Sequence, residues 1–117
     1  LKKINVNDNS FLFDIIIDDG SHNLSDILVS LKNLFKYLNE DGIYIIEDYK
    51  YPNYYTYNKD INEILVDQML KSLIEKKSFS SSILKKEDQL YLQNNIKKID
   101  TYKGNLKDSD ICFIRKN

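Results

Sequence analysis

The 117-residue sequence holds one cysteine, one histidine, one proline and three glycines, and it has no tryptophan and no alanine. A single Cys excludes an internal disulfide framework and any zinc site built from several thiolates. Glycine stands only at positions 20, 42 and 104. Charge of one sign is also missing: 17 Lys plus Arg face 18 Asp plus Glu, for a net charge of -1. That balance removes the electrostatic basis for nucleic acid or anionic lipid as a partner. No apolar run approaches the roughly 18 residues needed to cross a bilayer, and residues 1–10 form no apolar signal core, so the sequence reads as cytoplasmic.

What remains is the composition of one folded domain, with 42% apolar and 30% charged residues. Ile, Asn, Lys and Tyr are abundant, and Arg115 is the lone arginine. An AT-rich coding sequence produces that bias unaided, so the number of tyrosines or lysines argues little. The chain opens on Leu, which leads to the expectation that it belongs to a longer protein.

Residues 11–18 (FLFDIIID) form a short apolar run with turn residues on both sides, the pattern of a strand buried on both faces in a parallel sheet. Past Asp19-Gly20-Ser21-His22, residues Leu24, Ile27, Leu28, Leu31, Leu34, Phe35 and Leu38 repeat at the spacing of an amphipathic helix. Asn23 or Ser25 can cap its start, and residues 39–42 (NEDG) stop it. Residues 43–46 (IYII) are a second buried strand, so the segment reads as a right-handed βαβ unit.

Periodicity then lapses over residues 49–59, a loop with five tyrosines and Pro52. Ile61, Ile64, Leu65, Met69 and Leu73 mark a second helix running to about Lys77. Residues 83–95 are ambiguous between a short helix and irregular structure. Residues 96–102 and 109–116 are strand-like and joined through Gly104-Asn105, which predicts a terminal antiparallel hairpin. The expected fold class is α/β.

Ligands of open α/β sheets bind beyond the carboxyl ends of the strands. Here both predicted parallel strands end in acidic pairs, Asp18-Asp19 and Glu47-Asp48. On neighbouring strands these carboxylates crowd one edge, and two like charges at 4 Å repel by roughly 4 kcal/mol at an effective dielectric of 20. Such a cluster binds a cation or a proton, and oxygen ligands favour a hard ion, Mg²⁺ first. Asp18 and Asp19 point to opposite sides, so Asp19, already in the turn, is the better ligand. A lone histidine is ordinarily a surface or helix-start residue, and acidic pairs are ordinarily solvated strand ends. In this sequence both converge on the edge where this architecture places its site.

The run Phe13-Asp14-Ile15-Ile16-Ile17-Asp18-Asp19-Gly20-Ser21-His22, followed by a helix and by Asp41-Gly42-Ile43-Tyr44-Ile45-Ile46-Glu47-Asp48, resembles a known family. It is similar to the second half of class I S-adenosylmethionine-dependent O-methyltransferases of the macrocin and mycinamicin sugar type, a group related to rhamnosyl O-methyltransferases and cephalosporin hydroxylase-like proteins. The resemblance is strong over residues 11–49 and weaker over the terminal hairpin. It implies the carboxyl-terminal half of a Rossmann-like methyltransferase sheet, with Asp19, Glu47 and Asp48 holding Mg²⁺ and His22 as general base. It also implies that Asp18 lies at the edge of S-adenosylmethionine, and that Tyr49 and Tyr51 belong to a segment contacting a small-molecule sugar or glycoside.

A division of labour between ion and base suits the chemistry. A sugar hydroxyl is nearly as weak an acid as water, so its full deprotonation by an ordinary imidazole is uphill by about 9 pKa units, or roughly 12 kcal/mol. A cation at the hydroxyl, with proton transfer concerted with attack on the methyl group, avoids a free alkoxide. The family's upstream cofactor pocket has no counterpart in residues 1–117. Residues 1–10 are expected to lead into the first strand, and this piece by itself is expected to be inactive. One alternative is a non-catalytic half-domain that dimerises or packs on a partner through apolar faces left uncovered. Another is a metal-dependent glycosyltransferase, which would bind a nucleotide diphosphate sugar in place of S-adenosylmethionine.

Overall fold

The computed structural model describes residues 11–117. The expected lead-in over residues 1–10 lies outside the described residues. Four strands form one sheet, β1 (Phe13–Asp18), β2 (Leu38–Ile46), β3 (Ile96–Tyr102) and β4 (Ile111–Lys116), in the order β1-β2-β4-β3. The β1-β2 pair is parallel, and β4 runs antiparallel to both β2 and β3. Helix α1 (Leu24–Leu34) makes the crossover between β1 and β2, ending in a 3-10 turn over Phe35–Tyr37. Helices α2 (Tyr51–Tyr54), α3 (Val66–Ile74) and α4 (Lys86–Asn95) precede the terminal hairpin, with a second 3-10 turn at Thr56–Asn58.

The core lies on one face of the sheet. Helix α1 buries Leu24, Ile27, Leu28 and Leu31 of the stripe its spacing predicts, while Leu34 at its last position is exposed, and α3 adds Val66, Met69, Leu70 and Leu73. These meet alternate residues of the strands, Tyr44 and Ile46 from β2 and Cys112 and Ile114 from β4, all fully buried. The other face differs from expectation. Phe13, Ile15 and Ile17 of β1 are 56–57% exposed, so the strand is not buried on both sides. Continuous apolarity marks a strand suited to burial on both faces, whereas the described helices cover one.

Leu38, expected on the helix, instead starts β2, and the NEDG stop signal lies inside that strand. It forms a bulge: Phe13 pairs with Leu38, yet Ile15 pairs with Ile43. Gly42 sits in this bulge because a Cβ there would lie 2.9 Å from the Asn39 carbonyl oxygen and 3.2 Å from that of Asp14. The second helix begins at Val66, later than the predicted Ile61, and the ambiguous stretch resolves in part into α4. The terminal hairpin forms as its turn signal predicts, and β4 inserts between β2 and β3.

Candidate functional site

The last rung of the parallel ladder brings the two acidic strand ends together. The Glu47 N–H donates to the Asp18 carbonyl at 3.0 Å, so both chains leave the sheet side by side. Beyond that rung each turns sharply. The Gly20 N–H donates to Asp18 Oδ1 at 3.2 Å, His22 adopts φ 62°, and Asp48 adopts φ 53°. These left-handed conformations are uncommon outside glycine, although Asp and His enter them more readily than most residues.

The turns converge their side chains. His22 Nε2 lies 3.5 Å from Asp48 Oδ2 and 3.8 Å from Asp19 Oδ1. One ligand atom from each of Asp19, His22 and Asp48 falls within 4.8 Å of the other two. The imidazole side chain is 21% exposed and the Asp19 carboxylate 59%, which leaves the cluster open to solvent on the Asp19 side. The two carboxylates supply oxygen donors suited to a hard divalent cation, with the imidazole beside them. Glu47, one residue before Asp48 at the end of β2, is not a member of the three-residue group.

Asp18 stands behind this cluster. Burial pushes its carboxyl above the usual carboxylate range, against the opposing hydrogen bond from Gly20. Its Oδ2 atom and the hydroxyl of Tyr44 are buried without hydrogen-bond partners among the described residues. Burial also drives the Tyr44 phenol strongly upward. Both residues line a cavity of about 370 Å³ with Ile17, Gly20, Ser30 and Leu34. The two candidate tyrosines part company. Tyr49 is 4% exposed and belongs to the core. Tyr51 is half-buried with its ring centroid 5.4 Å from that of His22.

Tyr51 also stacks on Tyr55 at 4.3 Å and meets the Tyr57 hydroxyl at 3.2 Å. The bond to Tyr57, reinforced by burial and neighbouring phenols, pushes the Tyr51 phenol up to about 12. Sequence reasoning missed Tyr55, Tyr57 and Asn58. The first two stand in the tyrosine-rich segment, where composition alone singles out no residue. No spacing marks Asn58, which is buried against the turn that carries His22.

No family model matches the chain. An 8-demethyl-8-alpha-L-rhamnosyl tetracenomycin-C 2'-O-methyltransferase from Streptomyces olivaceus is 46% identical over 35 residues, which are 30% of this chain and 9% of that protein. The MycE methyltransferase of the mycinamycin biosynthetic pathway, solved with Mg, SAH and mycinamycin VI, superposes with a TM-score of 0.62 at 26% identity. The match covers 98% of this chain and 31% of that one. A crystal form of MycE with Mg and SAH gives a TM-score of 0.64, again at 26% identity, over 98% of this chain and 32% of that one.

The chain resembles sugar O-methyltransferases in sequence and in fold. The likeness expected from the IDDGSH and ED segments is thereby borne out, as is the α/β sheet with its antiparallel end. The chain spans about a third of the length of MycE. Among the described residues no helix is long and apolar enough to cross a membrane.

Proposed function

We propose that this chain is the carboxyl-terminal half of a metal-dependent O-methyltransferase acting on a sugar hydroxyl. The observation that carries the reading is the convergence of Asp19, His22 and Asp48 at the ends of two parallel strands, in a chain similar to sugar O-methyltransferases. Asp19 and Asp48 would hold Mg²⁺, and Glu47 is the third carboxylate proposed for it from the same strand end. When bound, the ion makes a nearby hydroxyl more acidic, and S-adenosylmethionine supplies a sulfonium methyl group.

The chain's own residues supply proton transfer and placement. His22 accepts the hydroxyl proton as the oxygen attacks the methyl carbon, which keeps a free alkoxide from forming. The Asp48 and Asp19 carboxylates lie 3.5 and 3.8 Å from its ring, which places the base beside the proposed ion site. Tyr51, in ring contact with His22, would meet a glycoside held at the site. Asp18 is assigned to the edge of the cofactor. The remainder of the cofactor site is assigned to a preceding half, because residues 1–117 lack a glycine-rich turn. The protein so read is a cytoplasmic enzyme of small-molecule glycoside chemistry.

Isothermal calorimetry with Mg²⁺ tests the metal assignment. Binding is expected to the unmodified chain and to be lost in Asp19→Asn; equal binding by both would remove it. A second reading, a non-catalytic interaction module, is favoured by one observation, the exposure of Phe13, Ile15 and Ile17 on β1. In that reading the chain would self-associate in ultracentrifugation, and Ile15→Lys would return it to a monomer while Mg²⁺ bound neither form.

A further inference from the structure

We propose that Asn58 is a positioning residue that sets the His22 imidazole against the Asp19 and Asp48 carboxylates; the inference rests on the metal-site reading above. His22 has φ 62°, a conformation that persists only where the surroundings over-determine it. One amide group does much of that. Asn58 Nδ2 donates to the Ser21 carbonyl at 3.2 Å and to Asn23 Oδ1 at 2.7 Å, the residues immediately before and after His22. A backbone carbonyl only accepts, so the Ser21 contact fixes which end of the Asn58 amide faces the turn.

The clamp itself is anchored. Asn58 is 5% exposed, and its own N–H donates to the Tyr55 carbonyl at 2.9 Å, closing the 3-10 turn over Thr56–Asn58. Tyr55 in turn stacks on Tyr51, whose ring lies beside His22. The end of the tyrosine-rich segment therefore braces His22 on two sides, through the backbone around it and through the ring next to it. A second tie between the same segments, Ser25 Oγ to Asp60 Oδ2 at 2.8 Å, is exposed to solvent and does not flank His22.

The Asn58 Oδ1 atom is buried without a hydrogen-bond partner among the described residues. What Asn58 supplies is a donor reaching both neighbours of the one histidine.

His22 is the sole histidine of the chain, so its ring protons give isolated NMR signals. In the unmodified 117-residue chain, nuclear Overhauser contacts from the His22 ring to Tyr51 are expected, together with an upfield shift from the Tyr51 ring. In Asn58→Ala and in the isosteric Asn58→Asp, which lacks the donor, those contacts are lost and the signals move toward the free-histidine position. Ser25→Ala should leave them as in the unmodified chain. Strand amide shifts of β1 and β2 report that each variant is folded, and Asn58→Ala carries the test if the buried carboxylate of Asn58→Asp unfolds the chain.

Persistence of the His22–Tyr51 contacts in both Asn58 variants, or their equal loss in Ser25→Ala, would overturn the inference. Paramagnetic broadening by Mn²⁺ separates this from the metal reading. The His22 signal should broaden in the unmodified chain and several-fold less in the Asn58 variants. Absence of broadening in the unmodified chain would count against the metal site, while the Tyr51 contacts still decide the role of Asn58.

Discussion

The Nε2 atom of His22 lies 3.5 Å from a carboxylate oxygen of Asp48, across the gap between the chain leaving β1 and the chain leaving β2. Neither residue sits in its strand. Each is displaced from the sheet by a left-handed backbone step, and it is the pair of steps, added to the parallel register, that closes the distance.

That contact predicts a division between binding and turnover. In the full-length methyltransferase proposed above, His22→Ala should lower turnover by about 10²- to 10⁴-fold, as expected of a general base. S-adenosylmethionine affinity should stay nearly constant, because the variant removes a proton acceptor and not a cofactor contact. Steady-state rates together with equilibrium cofactor binding check this, and equal turnover in the two proteins would end the role of His22.

Gly42 lies at the bulge between β1 and β2. A Cβ at this position would approach the Asn39 carbonyl oxygen to 2.9 Å and the Leu38 Cβ to 3.2 Å. Gly42→Ala should therefore destabilise the fold by about 1–3 kcal/mol, the usual result of overpacking. It should also weaken Mg²⁺ binding, since the β1–β2 register sets the spacing of Asp19 and Asp48. Thermal unfolding and calorimetry read the two effects. A fall in stability with metal affinity intact would confine the glycine to the bulge.

Glu63, outside the Asp19-His22-Asp48 cluster, supplies a pH dependence of its own. Burial alone would raise its carboxyl. Hydrogen bonds from Ser81, from the hydroxyl and N–H of Ser82 and from the Ile64 N–H outweigh burial and hold it below the usual range. A carboxylate depressed on folding stabilises the protein above its unfolded value, and that contribution disappears as pH falls through the folded value. Glu63→Gln should cost less than about 1 kcal/mol at neutral pH, given the exposure of the group, and nothing once the medium is acidic enough to protonate Glu63. Urea unfolding at both pH values checks this, and a difference that grew toward acid would refute it.

Much of the site was legible because its determinants are local. Two apolar runs with acidic ends around one amphipathic helix dictate a parallel pair, and a parallel pair puts Asp19 and Asp48 at one edge. The grouping around His22 depends on left-handed turns at His22 and Asp48, which no periodicity encodes. Tyr49 and Tyr51 are near neighbours in a segment of uniform composition, yet Tyr49 faces the core and Tyr51 faces the histidine. Asn58 was invisible because its significance lies in a contact with Ser21 and Asn23, distant in sequence. The apolarity of β1 misled in the other direction, because burial depends on what covers a face as well as on what the face is made of.

The phenol pair beside the site gives a prediction with a direction. Tyr51 and Tyr57 place their hydroxyls 3.2 Å apart, and that bond is the leading reason the Tyr51 phenol is pushed up to about 12. The neutral phenol is the favoured form, so Tyr51 remains uncharged throughout the range in which His22 would act. Tyr57→Phe removes the leading cause and should bring Tyr51 ionisation back toward the ordinary phenol value of about 10. Carbon NMR of ring-labelled tyrosine across alkaline pH, with Tyr51 assigned through a Tyr51→Phe variant, follows the ionisation directly. An unchanged Tyr51 titration in Tyr57→Phe would mean that the two hydroxyls do not meet. The aromatic platform next to His22 would then rest on the Tyr51–Tyr55 stack alone.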